Sequence, residues 1–134
     1  AEYVIFFSPV TMWSDHVAAY NAEAECAGFI SKIPTVYDET VPLENSIGNY
    51  VSVARRKGDE WYVGAITNWT PRSLSLDLGF LGDGNWEAEV MADGSDASTN
   101  AQSYTRSTIS VPADRKVTVK LAAGGGYAMR IYKK

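Results

Sequence analysis

The chain has 134 residues, 46% of them hydrophobic and 21% charged, with a formal net charge of −4. That length and composition fit one globular domain, or one domain with an appended piece of another, whose core needs no disulfide or metal staple. Basic residues are scattered apart from Arg55-Arg56-Lys57 and Lys133-Lys134, which excludes a nucleic-acid-binding face, and no stretch approaches the roughly 20 apolar residues of a membrane span.

The chain opens on Tyr3-Val4-Ile5-Phe6-Phe7, a near-continuous apolar run without Met and without a signal-peptide pattern, which reads as a cut or processed start. Such a run predicts a strand buried on both faces, as in parallel sheets, ended by Ser8-Pro9. With no neighbouring strands to pair with, this strand is expected to pair with another copy or to fold back on the rest of the chain. A helix follows, capped by Ser14 or Asp15 and running to about Ile33. Ala18, Ala22, Cys26, Phe29, Ile30 and Ile33 form its apolar stripe, and Pro34 stops it. Cys26 is the single cysteine, so neither an intramolecular disulfide nor a cysteine-based zinc site is available. It reads as a small buried thiol on the helix. His16, the single histidine, reads as a helix-start or surface residue.

From Val36 onward the period changes to two. Leu74, Leu76 and Leu78 alternate with polar residues, as do Val117, Val119 and Leu121. Turn signals stand at Lys57-Gly58, Pro71, Gly82-Asp83-Gly84, Asp93-Gly94, Pro112-Ala113-Asp114 and Gly124-Gly125-Gly126. They separate eight predicted strands at about 36–43, 49–57, 60–68, 72–79, 85–92, 103–111, 115–122 and 126–132. Short strands at regular spacing predict a mainly β fold, an eight-stranded antiparallel β-sandwich over 36–134, preceded by one β-loop-α unit over 1–35.

No pair of acidic residues makes a convincing catalytic dyad. Asp59-Glu60 sits at a hairpin corner and is expected to be solvated. Glu87 and Glu89 share one strand face, most simply the wet one. Asp38-Glu39 is expected to cap or to pair with Arg55 or Arg56. Asp93-Gly94-Ser95-Asp96 lacks the acidic spacing of a calcium loop, and the triple glycine near 125 is a turn between strands. Trp61 alternates with small apolar residues and belongs to the core. Trp69 and Trp86 lie at strand ends, where exposed rings stack on sugars in carbohydrate-binding modules; an autonomous sugar-binding sandwich is therefore the alternative function.

Several blocks, in order, resemble the C-terminal region of glycoside hydrolase family 97. They include Ile33-Pro34-Thr35, Ile47-Gly48-Asn49-Tyr50-Val51, the segment from Ala54 to Arg72, Phe80-Leu81-Gly82, Asp93-Gly94 and Ala123-Gly124-Gly125-Gly126-Tyr127-Ala128. Val4 to Pro9 and Glu25 to Ile30 are similar to the last strand and helix of that family's catalytic (β/α)8 barrel. The resemblance implies a non-catalytic accessory domain of an α-glucosidase or α-galactosidase, packing on the barrel and supporting a homo-oligomer. It places the catalytic carboxylates and a calcium site in the missing barrel, where an oligosaccharide substrate binds, so this chain carries no catalytic or metal-binding residue and is inactive alone. It also implies a soluble domain in the bacterial periplasm or cell envelope. Barrel sites are built on loops after the strands, so Thr11, Met12 and Trp13 are candidates to line a sugar subsite.

Overall fold

A computed structural model describes all 134 residues. Three short helices come first: α1 (Glu2–Ile5), α2 (Val17–Ala22) and α3 (Ala24–Ile30). Eight strands follow: β1 (Glu39–Pro42), β2 (Tyr50–Lys57), β3 (Glu60–Thr67), β4 (Arg72–Asp77), β5 (Trp86–Asp93), β6 (Tyr104–Ser110), β7 (Lys116–Leu121) and β8 (Gly126–Lys133). Every strand end falls within about three residues of its expected position, because the period-two alternation and the turn residues act locally.

All pairings are antiparallel. Six strands form one sheet in the order β1-β2-β3-β8-β5-β6, and β4 pairs with β7 in a second sheet of two. The β2–β3 hairpin closes at Lys57 opposite Glu60, where Gly58 takes a left-handed backbone (φ +57°) that few other residues adopt. Trp61, Val63 and Ala65 of β3 meet Val90, Met129 and Ile131 on the inner face of the large sheet. Leu74, Leu76, Val117, Val119 and Leu121 cover them from the small one. Met129, Ile131, Val63 and Leu76 are fully buried, so the main core lies between the two sheets.

The first 33 residues depart from expectation. The run from Tyr3 to Phe7 is not a strand: Glu2–Ile5 is a helical turn, and Phe6 and Phe7 beyond it are exposed. A lone strand would leave its amides and carbonyls unpaired, whereas the turn satisfies them locally, with Val4 N–H and Ile5 N–H donating to the Ala1 carbonyl at 2.9 and 3.2 Å. The segment folds back on the sheet, with Val4 buried against Val53 and Tyr62. The single helix expected from Ser14 or Asp15 to Ile33 is two, broken at Glu23 (φ −108°, ψ 43°) and capped by His16, whose Nδ1 accepts from Ala19 N–H at 3.2 Å. Only the second half of the apolar stripe has a surface to rest on. Phe29 is buried and Cys26, Ile30 and Ile33 are half-buried, while Ala18 and Ala22 stay exposed.

Candidate functional site

The feature that sets this sandwich apart is its second face. Side chains alternate across a strand, so residues between the core positions of the large sheet point away from the small sheet. The register aligns them into two rungs. One runs Arg55, Tyr62, Arg130, Glu89 and Thr108; its neighbour runs Val53, Gly64, Ala128, Met91 and Arg106. The first rung is charged and the second is mostly small or apolar, and residues 1–33 lie over both.

Glu89 is the hub of the charged rung. It is only 6% exposed, yet it is fully partnered. Lys32, just beyond α3, donates Nζ to its carboxylate at 2.8 Å, Arg106 donates Nε at 3.1 Å and also Nη2, and Arg130 stands 3.9 Å away. Burial alone pushes this carboxyl up, but the hydrogen bonds from Lys32 and Arg106 outweigh it and hold Glu89 below the usual carboxylate range. Arg106 also reaches Glu25 of α3 at 3.4 Å, and Tyr104 donates to Glu25 at 3.0 Å. Next to this hub, Glu60 accepts from Arg130 Nε at 2.8 Å and from Tyr62 Oη at 2.6 Å. The Arg130 bonds hold Glu60 low; burial, then Glu60, pushes the Tyr62 phenol up to about 12.

The small rung admits the chain's first turn. A Cβ on Gly64 would lie 3.0 Å from the Ala1 carbonyl oxygen and from Val4 Cβ, so only glycine lets α1 sit flat on β3. Arg55 then ties that turn down. Its Nε and Nη2 donate to the Val4 and Ile5 carbonyls at 2.6 and 3.0 Å, and its guanidinium stacks between Phe7 and Tyr37. Between α3 and the sheet runs a groove of about 420 Å³ lined by Phe29, Ile30, Ile33, Met91 and Tyr104 among others. This face thus combines a groove lined largely by apolar residues with paired charge along its border.

The other sequence candidates fall as follows. Asp38 accepts from Gly58 N–H at 2.8 Å and Lys57 Nζ at 3.0 Å, bonds that lower its pKa in that order, and Glu39 pairs with Arg56 at 3.0 Å. Asp59 is exposed as expected and Glu60 is half-buried beside Arg130, whereas Glu89 is not on a wet face, because Lys32 and Arg106 cover it. Glu87 is half-buried and pairs with the exposed Lys134 at 2.8 Å. Thr11, Met12 and Trp13 form an exposed loop, with Trp13 packed on Tyr20 at a ring distance of 4.5 Å. Trp86 is buried under Lys133, its indole N–H facing the Gly82 carbonyl at 3.4 Å, so it presents no ring to a sugar. Trp69 is 86% exposed and stands without it. Asp93 braces the β7–β8 turn by accepting from Ala122 and Gly126 N–H, and Asp96 accepts from Ser103 and Asn100. No three His, Cys, Asp or Glu side chains converge to hold a metal ion. Glu89, expected on the wet face of its strand, is instead the buried hub of this network.

Comparison with known proteins locates this face in a larger molecule. Residues 36–132 match the family described as "Glycosyl-hydrolase 97 C-terminal, oligomerisation". The chain is 43% identical over 131 residues to a retaining alpha-galactosidase of Bacteroides thetaiotaomicron, covering 98% of this chain and 20% of that one. It superposes with a TM-score of 0.92 at 32% identity on a glycoside hydrolase family 97 enzyme from Pseudoalteromonas sp. strain K8, solved in complexes with panose and acarbose, over 98% of this chain and 21% of that one. A beta-arabinopyranosidase matches at a TM-score of 0.77 and 27% identity, over 96% of this chain and 20% of its own. The chain thus spans about a fifth of the length of the relatives it matches.

Proposed function

The chain belongs to the glycoside hydrolase 97 family, whose C-terminal domain it carries, and we propose that it serves as the non-catalytic accessory domain of an α-glycosidase. The observation that carries this is the second face of the large sheet. Its buried charge, Glu89, is neutralised by Lys32 together with Arg106 of the sheet itself, and a groove lined largely by apolar residues lies open beside it. In this proposal residues 1–35 are the end of the catalytic barrel, 36–134 are the accessory unit, and the rungs fix the angle at which the barrel sits. The parent cleaves α-galactosides or α-glucosides; the greater identity to a retaining alpha-galactosidase favours the former. Its carboxylate catalysts and calcium belong to the barrel, Thr11, Met12 and Trp13 border the sugar subsite, and the enzyme works in the periplasm or cell envelope. No helix here is long and apolar enough to cross a membrane.

The carboxylates of this chain suit that division of labour. A glycosidase acid must be protonated near neutrality, whereas Asp38, Glu60 and Glu89 are all held below the usual range by their donors. Hydrolysis of p-nitrophenyl α-galactoside and α-glucoside tests the proposal. Activity is expected in the full-length gene product and absent from the 134-residue chain; turnover by the short chain alone would overturn the proposal.

A further inference from the structure

One end of the sandwich carries two large apolar side chains that the fold does not use. Ile47, at the tip between β1 and β2, is fully exposed, and Trp69, between β3 and β4, is 86% exposed. Their loops are locked together. Asn68 N–H donates to the Asn49 carbonyl at 2.8 Å, Asn68 Nδ2 reaches the Gly48 carbonyl at 3.1 Å, and Gly124 N–H donates to the Asn68 carbonyl at 2.8 Å. Thr70 N–H closes a turn on Asn68 Oδ1 at 3.0 Å. The indole lies over Gly124, where a Cβ would come within 3.1 Å of the ring. Trp69 thus projects from a tied-down loop with its outer surface bare.

The surroundings identify the occupant. None of the thirteen residues in the three loops, 45–49, 68–71 and 122–125, is charged, in a chain where 21% are. Arg72, at the margin, is turned inward onto Thr67 Oγ1 at 3.1 Å and the Tyr50 ring; Glu44 marks the other margin. In a two-fold contact a patch meets itself, so any charge at its centre would face its own kind. Charge depletion around a Trp anchor is the composition of an interface core. The two side chains offer roughly 350 Å² of apolar surface per copy, nearly half of the ~800 Å² that each partner buries in a standard interface. The exposed Ile47 side chain, which cannot bond sugar hydroxyls, favours protein over sugar.

We propose that the Ile47–Trp69 end is a self-contact through which two copies of the parent protein associate. This rests on the accessory-domain reading above, taken with the matched family's description as an oligomerisation domain. Sedimentation velocity of the full-length product, across a concentration series, tests it with Trp69→Ala and Ile47→Asp. The native protein is expected to be oligomeric, and each variant to raise the dissociation constant at least ~30-fold with an unchanged melting temperature. Native protein that is monomeric throughout removes the oligomerisation role and this inference with it. An oligomer that both variants leave intact overturns the surface alone. A lowered melting temperature with the oligomer intact gives the face to the protein's own catalytic domain. Loss of retention in polysaccharide gels with the oligomer intact gives it to a sugar; either result overturns the self-contact.

Discussion

Replacing Glu89 by Gln tests whether the buried hub holds the helices to the sheet. The substitution keeps shape and one acceptor but removes the charge that Lys32 and Arg106 address. Breaking a buried pair costs about 3–5 kcal/mol and a charge-assisted hydrogen bond about 1.5–3 kcal/mol. Here Lys32 is 39% and Arg106 37% exposed, so both recover solvent once released, and the expected loss falls to about 2 kcal/mol. An unfolding entropy of about 2.1 cal/mol/K per residue converts that to a melting temperature about 7 °C lower. Scanning calorimetry at neutral pH reads it, with Glu87→Gln as control, since Glu87 meets only the 69% exposed Lys134. The pH dependence has a definite sign. Glu89 titrates below its ordinary 4.5 when folded, so its contribution is complete above that value and disappears as pH falls through the lower folded value. The gap between native protein and Glu89→Gln should therefore close in acid. Equal melting temperatures for Glu89→Gln and Glu87→Gln at neutral pH would refute the hub.

Gly64→Val should lift the first turn from β3, because Val4 and the Ala1 carbonyl already stand where its Cβ would go. Hydrogen exchange is expected to accelerate in residues 1–7 and not in β4 or β7; unchanged protection of residues 1–7 would count against the contact. Tyr62→Phe should remove one phenol that ionises near pH 12 in an ultraviolet titration, and Tyr127, raised to about the same value by burial, should remain. Because the folded pKa is raised, the stability linked to Tyr62 is complete below its ordinary 10.0 and is lost as pH climbs through about 12.

The β region was legible because its information is local. Alternation sets which residues of Leu74-Ser75-Leu76 or Val117-Thr118-Val119 face inward, and turn residues set the ends. Trp86 was legible by the same rule: Trp86, Ala88 and Val90 share one parity and all are buried, although a strand-end position suggested exposure. Glu89 was not. Its parity is that of an outward residue, and residues distant in sequence, Lys32 57 positions away and Arg106 17, turn outward into buried. The N-terminal run failed for a related reason. Tyr3 to Phe7 has the composition of a doubly covered strand, but strand pairing needs neighbours, and without them the backbone closes its own hydrogen bonds in a helical turn.

The large sheet is a shared wall, and this partitions the freedom of its sequence to change. In β3, Trp61, Val63 and Ala65 answer to the sandwich core, whereas Glu60, Tyr62 and Gly64 answer to whatever lies on the far side. Substitutions at alternate positions of one strand should thus divide into two independent classes. One class would be constrained by the domain's own packing; the other would drift only in concert with residues 1–33 and the surface they belong to. A library built over this strand would read out the requirements of two separate interfaces from eight consecutive codons.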